Sequence, residues 1–429
     1  MHGVIILNKV PLSLNKMHAA FTSPKMTPTE TLQLLKTTTG FKPLGEPVGN
    51  LTLGRGTLNG RTAHIAVIEN KVASGSIGTK ECDKLASLFR IVAAHQSPLL
   101  LYLDCAGARV SEGLPALGAF RHMYRAAVEM ALAGAPVTAF LGTHCYGGAS
   151  MLAALAGQRV FSEKTQLAMS GPTILAAAAG TSALDESFRA IAEASIGAAG
   201  RSKLSSQNVL SWDSADVPTM GNWFQRHEQL GLHSVVAAIL AGAKEDAVQR
   251  KDLAALYPDG YQGFESANVF FGKARDAAGE IELLGIIDKR LLGAARAWML
   301  ADRVWKLAAK PPPRLHLLID CEAHSAQLDD ERLMLSGYLA NLSLALVSLA
   351  RVSTLIETTV LGRAGGGVYV AIAAASQKIK LLHGADIQLL PSKAVASILG
   401  DADTAKYTLA DYAKARVADD ELKVGFLRD

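Results

Sequence analysis

Two glycine runs carry the chemistry most legible in this chain: Cys145-Tyr146-Gly147-Gly148-Ala149 and Ala364-Gly365-Gly366-Gly367-Val368. Each closes a β-rich apolar run, Ala135 to Leu141 or Val352 to Leu361, and each passes straight into an Ala-rich helical run. Strand, glycine turn and helix in that order place unpaired N–H groups and the positive end of a helix where a ligand can approach the backbone. Such a turn can hold an anion, or the oxyanion that develops as an acyl group reacts. Tight strand–helix packing also selects glycine, so one such turn says little. Two in matching contexts say more.

The side chains nearby admit more than one role. His144, just before the first turn, titrates near neutrality and can protonate a carbanion; it can equally be a loop histidine bound to a carbonyl. Asp104 and Asp320 stand at strand ends, where a carboxylate either accepts from loop N–H groups and caps a turn or takes part in catalysis. Arg109 can neutralise a carboxylate or phosphate, or form an ion pair in which Glu112 is the partner. Cys105 and Cys145 read as small packing residues, because no neighbouring base is evident. Tyr146 and Tyr369 can line an acyl pocket or fill a core.

The elements that must position these groups come in two sets. Leu99 to Leu103 with Asp104-Cys105 is echoed by Leu315 to Ile319 with Asp320-Cys321, a buried parallel-strand pattern closed each time by Asp-Cys. The interval from Asp104 to Gly147 is close to that from Asp320 to Gly366. Upstream, Ala63 to Glu69 resembles Glu280 to Ile287, and a long helical segment follows each. The chain reads as two copies of one α/β unit, a mainly parallel sheet with helices outside it and ligands beyond the carboxyl ends of the strands. The expected division is an arm at 1–45, a first unit at 46–245, a connection at 246–277 and a second unit at 278–429. Thr27-Pro28-Thr29-Glu30 reads as a helix start and Asn59-Gly60 as a hairpin turn.

Composition narrows the function. The 429 residues are 49% hydrophobic and 19% charged with a net charge of +4, which suits a globular chain and an anionic small molecule or coenzyme better than nucleic acid. Cys82, Cys105, Cys145 and Cys321 form no CxxC pair, and no His/Cys/Asp cluster has ligand spacing; neither a disulfide framework nor a metal is expected, and a reducing cytoplasm is. Val4-Ile5-Ile6-Leu7 is followed at once by Asn8-Lys9, leaving no signal-peptide core, and no apolar run reaches membrane-spanning length. Neither a dinucleotide fingerprint, nor a P-loop, nor a nucleophile elbow is present.

The run Ser74-Gly75-Ser76-Ile77-Gly78, then Asp104-Cys105-Ala106-Gly107-Ala108-Arg109 with Glu112, Cys145-Tyr146-Gly147-Gly148 and Leu167-Ala168-Met169-Ser170-Gly171-Pro172 resembles the β subunit of biotin-independent malonate decarboxylase. That enzyme belongs with the carboxyltransferases of the crotonase superfamily. Leu291-Leu292-Gly293, Ile319-Asp320, Glu331, Gly362-Arg363-Ala364-Gly365-Gly366-Gly367 and Lys393-Ala394 are similar to the γ subunit of the same enzyme. The resemblance covers roughly residues 50–200 and 280–400, in the manner of a fused β–γ chain. It departs from the family at Asp104-Cys105-Ala106-Gly107, where Asp-Ser/Thr-Gly-Gly is common. It departs also at Gly366, where the γ-type loop usually carries Ser, and at His144, which replaces what is often a small residue.

The resemblance implies two duplicated crotonase-like (ββα superhelix) carboxyltransferase domains. It implies an enzyme that decarboxylates a malonyl-type thioester through an enolate, with the N–H groups of Gly107 and Ala108 forming one oxyanion hole and those of Gly367 and Val368 the other. His144 would be the acid, and Gly75, Ser76, Arg109, Tyr146, Gly147, Gly148, Ser170, Gly171 and Gly366 would contact substrate. No covalently bound cofactor is implied; the carrier would be coenzyme A or the phosphopantetheine of an acyl-carrier protein, and the assembly a homo-oligomer. Two alternatives stay open. One is a biotin-dependent acyl-CoA carboxyltransferase subunit, which would need a separate biotin carboxylase and carrier, as no Ala/Val-Met-Lys-Met motif occurs here. The other is a further crotonase-type thioester enzyme or a non-catalytic scaffold; the paired glutamates expected of a hydratase are missing from the loops.

Overall fold

A computed structural model describes residues 26–180, 185–215, 232–390 and 423–426. It begins with a helix, α1 (Pro28–Thr39), at the start announced by the sequence. Thr27 Oγ1 accepts the Glu30 N–H, the Glu30 carboxylate accepts the Thr27 N–H, and Pro28 occupies the first helical turn. Leu35 of α1 is fully buried and shares a cluster with Ile65, Leu100 and Phe140. The later part of the expected arm therefore packs onto the first sheet, because α1 carries an apolar face that must be covered; residues 1–25 lie outside the described residues.

The first sheet runs β1-β2-β3-β4-β5-β6-β8, with β1 at Lys42–Pro43, β2 at Leu51–Leu58, β3 at Arg61–Ile68, β4 at Leu99–Cys105, β5 at Val137–Tyr146, β6 at Gln158–Phe161 and β8 at Asn208–Val209. A short strand, β7 (Gln166–Ala168), pairs with the far end of β5. The β2–β3 hairpin turns at Asn59-Gly60, both with positive φ, 51° and 74°, as the two-residue turn requires. From β3 onward the pairings are parallel. α2 (Thr79–His95) connects β3 to β4 and α3 (Leu114–Leu132) connects β4 to β5.

The second sheet repeats this plan. Its order is β17-β15-β14-β13-β12-β11-β10-β9, with β9 at Asp246–Ala247, β10 at Tyr261–Ser266, β11 at Val269–Asp276, β12 at Gly279–Ile286, β13 at Arg314–Cys321, β14 at Leu355–Gly365, β15 at Lys378–Leu381 and β17 at Lys423–Phe426. β16 (Asp386–Gln388) pairs with the end of β14 as β7 does with β5. Even the irregularities match: the β4–β5 register shifts between Leu103 and Cys105, and the β13–β14 register between Ile319 and Cys321. At each shift stands the repeated aspartate. Asp104 Oδ1 accepts the His144 N–H at 3.0 Å and Asp320 Oδ1 the Arg363 N–H at 3.1 Å, so both carboxylates fasten the start of a loop.

One boundary needs correction. Strands β9 to β11 belong to the second sheet, so residues 246–277 are no connection; the second unit starts with them. β11 pairs antiparallel with β12 as β2 does with β3, which covers what would otherwise be an open edge of the parallel strands.

The halves share a core. The Leu335–Arg351 helix is buried along nearly its whole length, and its Leu339, Leu342 and Leu346 lie in one cluster with Phe120 and Met123 of α3. Arg121, also buried, donates from Nη1 to the Ala373 carbonyl at 2.8 Å, crossing from one half to the other. Among the described residues no helix is long and apolar enough to cross a membrane.

Candidate functional site

β5 runs into Gly147 and a short helix (Gly148–Ala154), while β14 ends at Gly365 and runs into the Gly366–Ala373 helix. The first residues of a helix have no carbonyl four places back, so both turns present backbone donors. A cavity of about 870 Å³ lies between the halves, and both turns line it: Ala108, Gly147 and Gly148 from the first half, Gly366 and Gly367 from the second. Both halves of one chain thus wall the same cavity.

The expected residues divide. Ser76, Ala108, Arg109, His144, Tyr146, Gly147, Gly148, Ser170, Gly171, Gly366 and Gly367 line the cavity; Gly75, Gly107 and Val368 do not contribute to its wall. Gly75 is buried with φ +71°, and a Cβ there would run into the Asp104 carbonyl, so it serves the junction of its turn with β4. Gly107 has φ +89°, and its N–H donates to Cys105 Sγ at 3.2 Å; a Cβ on it would sit 3.1 Å from Gly148 N and from Tyr146 O. The two first-half turns thus pack against each other through Gly107. In the second half the left-handed residue is Gly366, φ +51°, while at Gly367 a Cβ would lie 2.5 Å from Met169 Cε, the end of a flexible side chain that would have to move. Val368 is fully buried, so only its backbone can serve the site. Tyr369 is a core residue.

Arg109 is not a free cation. Its Nη1 donates to Glu112 at 2.9 Å, its Nη2 to the Ser76 carbonyl at 2.8 Å, and Glu81 holds the same guanidinium. Burial opposes its charge, but Glu81 and Glu112 outweigh burial and raise its pKa. Glu112 also accepts the Thr79 N–H at 2.8 Å, so the cluster pins α2 to the loop after β4. His144 keeps 40% of its side chain exposed, with Nδ1 3.9 Å from Asp104 Oδ1. Tyr146 donates its hydroxyl to Gln166, and burial pushes its phenol up. Burial also pushes the Cys105 thiol up to about 12 and Cys145 well above its usual value, so neither is a nucleophile at neutral pH. Among the described residues no three His, Cys, Asp or Glu converge on a metal-sized site.

Two residues of the site have no role assigned by the sequence. His324, in the loop after β13, is 9% exposed; its Nε2 lies 3.4 Å from Ser170 Oγ, and burial lowers its pKa to about 4. Glu331 is fully buried and accepts the Ser170 N–H at 2.9 Å, while Arg201 Nη2 lies 3.3 Å from its other oxygen. Burial pushes the Glu331 carboxyl up to about 7, against the pull of Arg201 and of the Ser170 N–H. A lone histidine four residues after a strand-end aspartate gives no signal of this, and the Arg201–Glu331 pairing is purely tertiary.

Comparison with known proteins places these features. The carboxyl transferase domain family matches residues 28–260. Over 134 residues the chain is 29% identical to the methylmalonyl-CoA carboxyltransferase 12S subunit of Propionibacterium freudenreichii subsp. shermanii, covering 31% of this chain and 25% of that one. The chain thus spans about a quarter of that relative's length. Among solved structures, transcarboxylase 12S aligns over 95% of this chain and 84% of its own at 18% identity and a TM-score of 0.37. A Pseudomonas malonate decarboxylase hetero-dimer aligns over 37% of this chain and 73% of its own at 25% identity and a TM-score of 0.34.

Proposed function

The chain belongs to the carboxyl transferase family, and from that premise we propose that it releases carbon dioxide from a malonyl-type thioester. Its two α/β sheets are those of the crotonase-like carboxyltransferase fold, and its chemistry is of the acyl-CoA carboxyltransferase type. The carrier is coenzyme A or the phosphopantetheine arm of an acyl-carrier protein, and no covalently bound cofactor takes part.

The observation that carries this reading is the meeting of both glycine turns on one cavity. Breaking the bond to the carboxylate leaves a thioester enolate, and the barrier falls when donors already point at its oxygen. Ala108 N–H is one such donor. Gly107 N–H, given to the buried Cys105 Sγ behind the wall, becomes the second only by leaving that weak sulfur acceptor for the oxyanion. The Gly367 N–H, in the first turn of its helix and on the cavity wall, orients the departing carboxylate, with the Val368 N–H directly behind it. Ser170 and Gly171 form the wall that Glu331 anchors, and Tyr146 the aromatic face beside His144.

A second reading, biotin-dependent carboxyl transfer, is favoured by the 12S subunit named above, which is a carboxyltransferase. The two part on one experiment. Purified protein is given malonyl-CoA or a malonyl carrier protein, with and without avidin. Release of carbon dioxide unaffected by avidin is expected; inhibition by avidin, or strict dependence on a biotinylated carrier, moves the assignment to carboxyl transfer. We also propose a homo-oligomer in the cytoplasm, its interface made by Ala-rich helical faces. A monomer by light scattering at every concentration would remove the first of these.

A further inference from the structure

Two histidines line the cavity, and their rings are held differently. His144 reaches solvent, with its backbone tied to Asp104. His324 is closed in: Ser170 Oγ lies 3.4 Å from Nε2 on one ring edge. Its other nitrogen, Nδ1, is buried and has no hydrogen-bond partner among the described residues. That nitrogen faces the second glycine turn, since Cβ atoms built on Gly366 and Gly367 would lie 3.8 and 3.6 Å from it. A buried polar nitrogen without a partner is costly to keep, and a ligand in the cavity is the partner its position admits.

The surroundings suit a proton rather than a fixed charge. Glu331 is one hydrogen bond beyond Ser170 and is already paired with Arg201; Asp330 adds a weak pull toward the charged ring. Burial keeps the imidazole neutral, with a pKa of about 4. An anion entering beside Nδ1 cancels much of that penalty and draws a proton onto the ring.

We propose that His324 is the proton carrier of the reaction, taking a proton at Nδ1 as the substrate carboxylate enters and delivering it to the α-carbon. The carbon–carbon bond breaks, its electron pair passes into the thioester enolate, and carbon dioxide leaves. The enolate then takes the Nδ1 proton at carbon, giving the acetyl thioester and a neutral imidazole that solvent recharges. The substrate rests on the decarboxylation reading above, but proton delivery at the α-carbon belongs to any thioester enolate formed here.

The test uses purified full-length protein in two assays: turnover of malonyl-CoA, and exchange of the methyl protons of acetyl-CoA with deuterium oxide. The variant is His324→Gln, whose amide can still reach Ser170 Oγ but which lacks Nδ1. Turnover and exchange are expected to fall together by about 10²- to 10⁴-fold, with KM and melting temperature little changed. If that variant does not fold, His324→Asn is read in the same assays. A folded variant that keeps parental exchange overturns the proposal. A parent that exchanges acetyl-CoA protons but releases no carbon dioxide sinks the decarboxylase reading alone, and the exchange comparison still decides on His324. A parent that does neither sinks both.

Discussion

Arg201 and Glu331 meet between the two halves with almost no exposure, 1% and 0%, Nη2 to Oε2 at 3.3 Å. Arg201 also donates to the Leu167 carbonyl at 2.9 Å and the Glu331 carbonyl at 2.6 Å, while Glu331 holds the Ser170 N–H. One ion pair therefore ties the segment from Leu167 to Ser170, a wall of the cavity, to the second sheet's helices.

Removing one partner should cost far more than the pair is worth. Glu331→Leu leaves a buried guanidinium unpaired and should lower stability by about 3–5 kcal/mol. Arg201→Met/Glu331→Leu should recover part of that loss, a coupling on the order of 1–3 kcal/mol in a double-mutant cycle by urea denaturation. Losses that simply add would mean the two charges do not depend on each other.

The glycine turns should be separable by mutation. Gly107→Val puts a β-branched residue at φ +89° and against Gly148. Gly367→Val meets Met169 Cε and Met151 Sδ, flexible side chains at the cavity wall. Each should reduce turnover by on the order of 10²-fold or more. Near-full turnover of every thioester by a well-folded variant would make that turn structural. In the second-half turn the backbone itself resists substitution at Gly366, through its positive φ, and at Gly365, where a Cβ would lie 2.3 Å from the Glu322 carbonyl, rather than at Gly367.

Much of the fold is legible because the repeat is written in local signals. Asp104 and Asp320 are readable as acceptors from loop N–H groups, and each accepts one. Thr27 with Glu30 and Asn59-Gly60 specify their cap and turn within four residues. The β10–β11 hairpin is not legible, because it turns at Ala267-Asn268, with φ 48° and 60°, and alanine is a poor signal for a left-handed turn. The Arg109–Glu112 pair is legible because the two stand three residues apart, whereas Glu81, which also holds the guanidinium, lies at the start of α2 and far off in sequence. Pairings such as Arg201 with Glu331, or His324 with Ser170, depend on how the two sheets stack, which no local pattern records.

The four cysteines should be inert in the folded protein. Burial pushes Cys105 and Cys321 up to about 12 and raises Cys82 and Cys145 well above the usual thiol value. Iodoacetamide at pH 8 should modify none of them and leave turnover intact, while all four react in urea. Rapid loss of activity with labelling of Cys105 or Cys145 would show an accessible thiolate that burial does not allow.

The most demanding prediction concerns pH and His316, in the outer layer of the second sheet. Its Nδ1 lies 2.6 Å from the Tyr257 hydroxyl and its Nε2 2.6 Å from Thr359 Oγ1, so both nitrogens are engaged. Burial lowers its pKa to about 4; Lys380 and Arg314 push the same way and Glu357 opposes them. In the unfolded chain the ring titrates near 6.5. Between these values the unfolded state binds a proton that the folded state refuses, so stability is lost as pH falls from 6.5 through 4. Glu331, with its raised pKa of about 7, acts in the opposite sense, its contribution being present at low pH and lost as pH rises through 7. A single pH series on the parent would mix the two. Comparing the parent with His316→Gln isolates the histidine: the stability gap between them should narrow by about 2 kcal/mol from about pH 7 to about pH 5, because only the parent carries the proton penalty. A gap of the same size at both pH values, measured by urea denaturation, would mean that His316 titrates normally in the folded protein, and a gap that widens toward pH 5 that it is charged there.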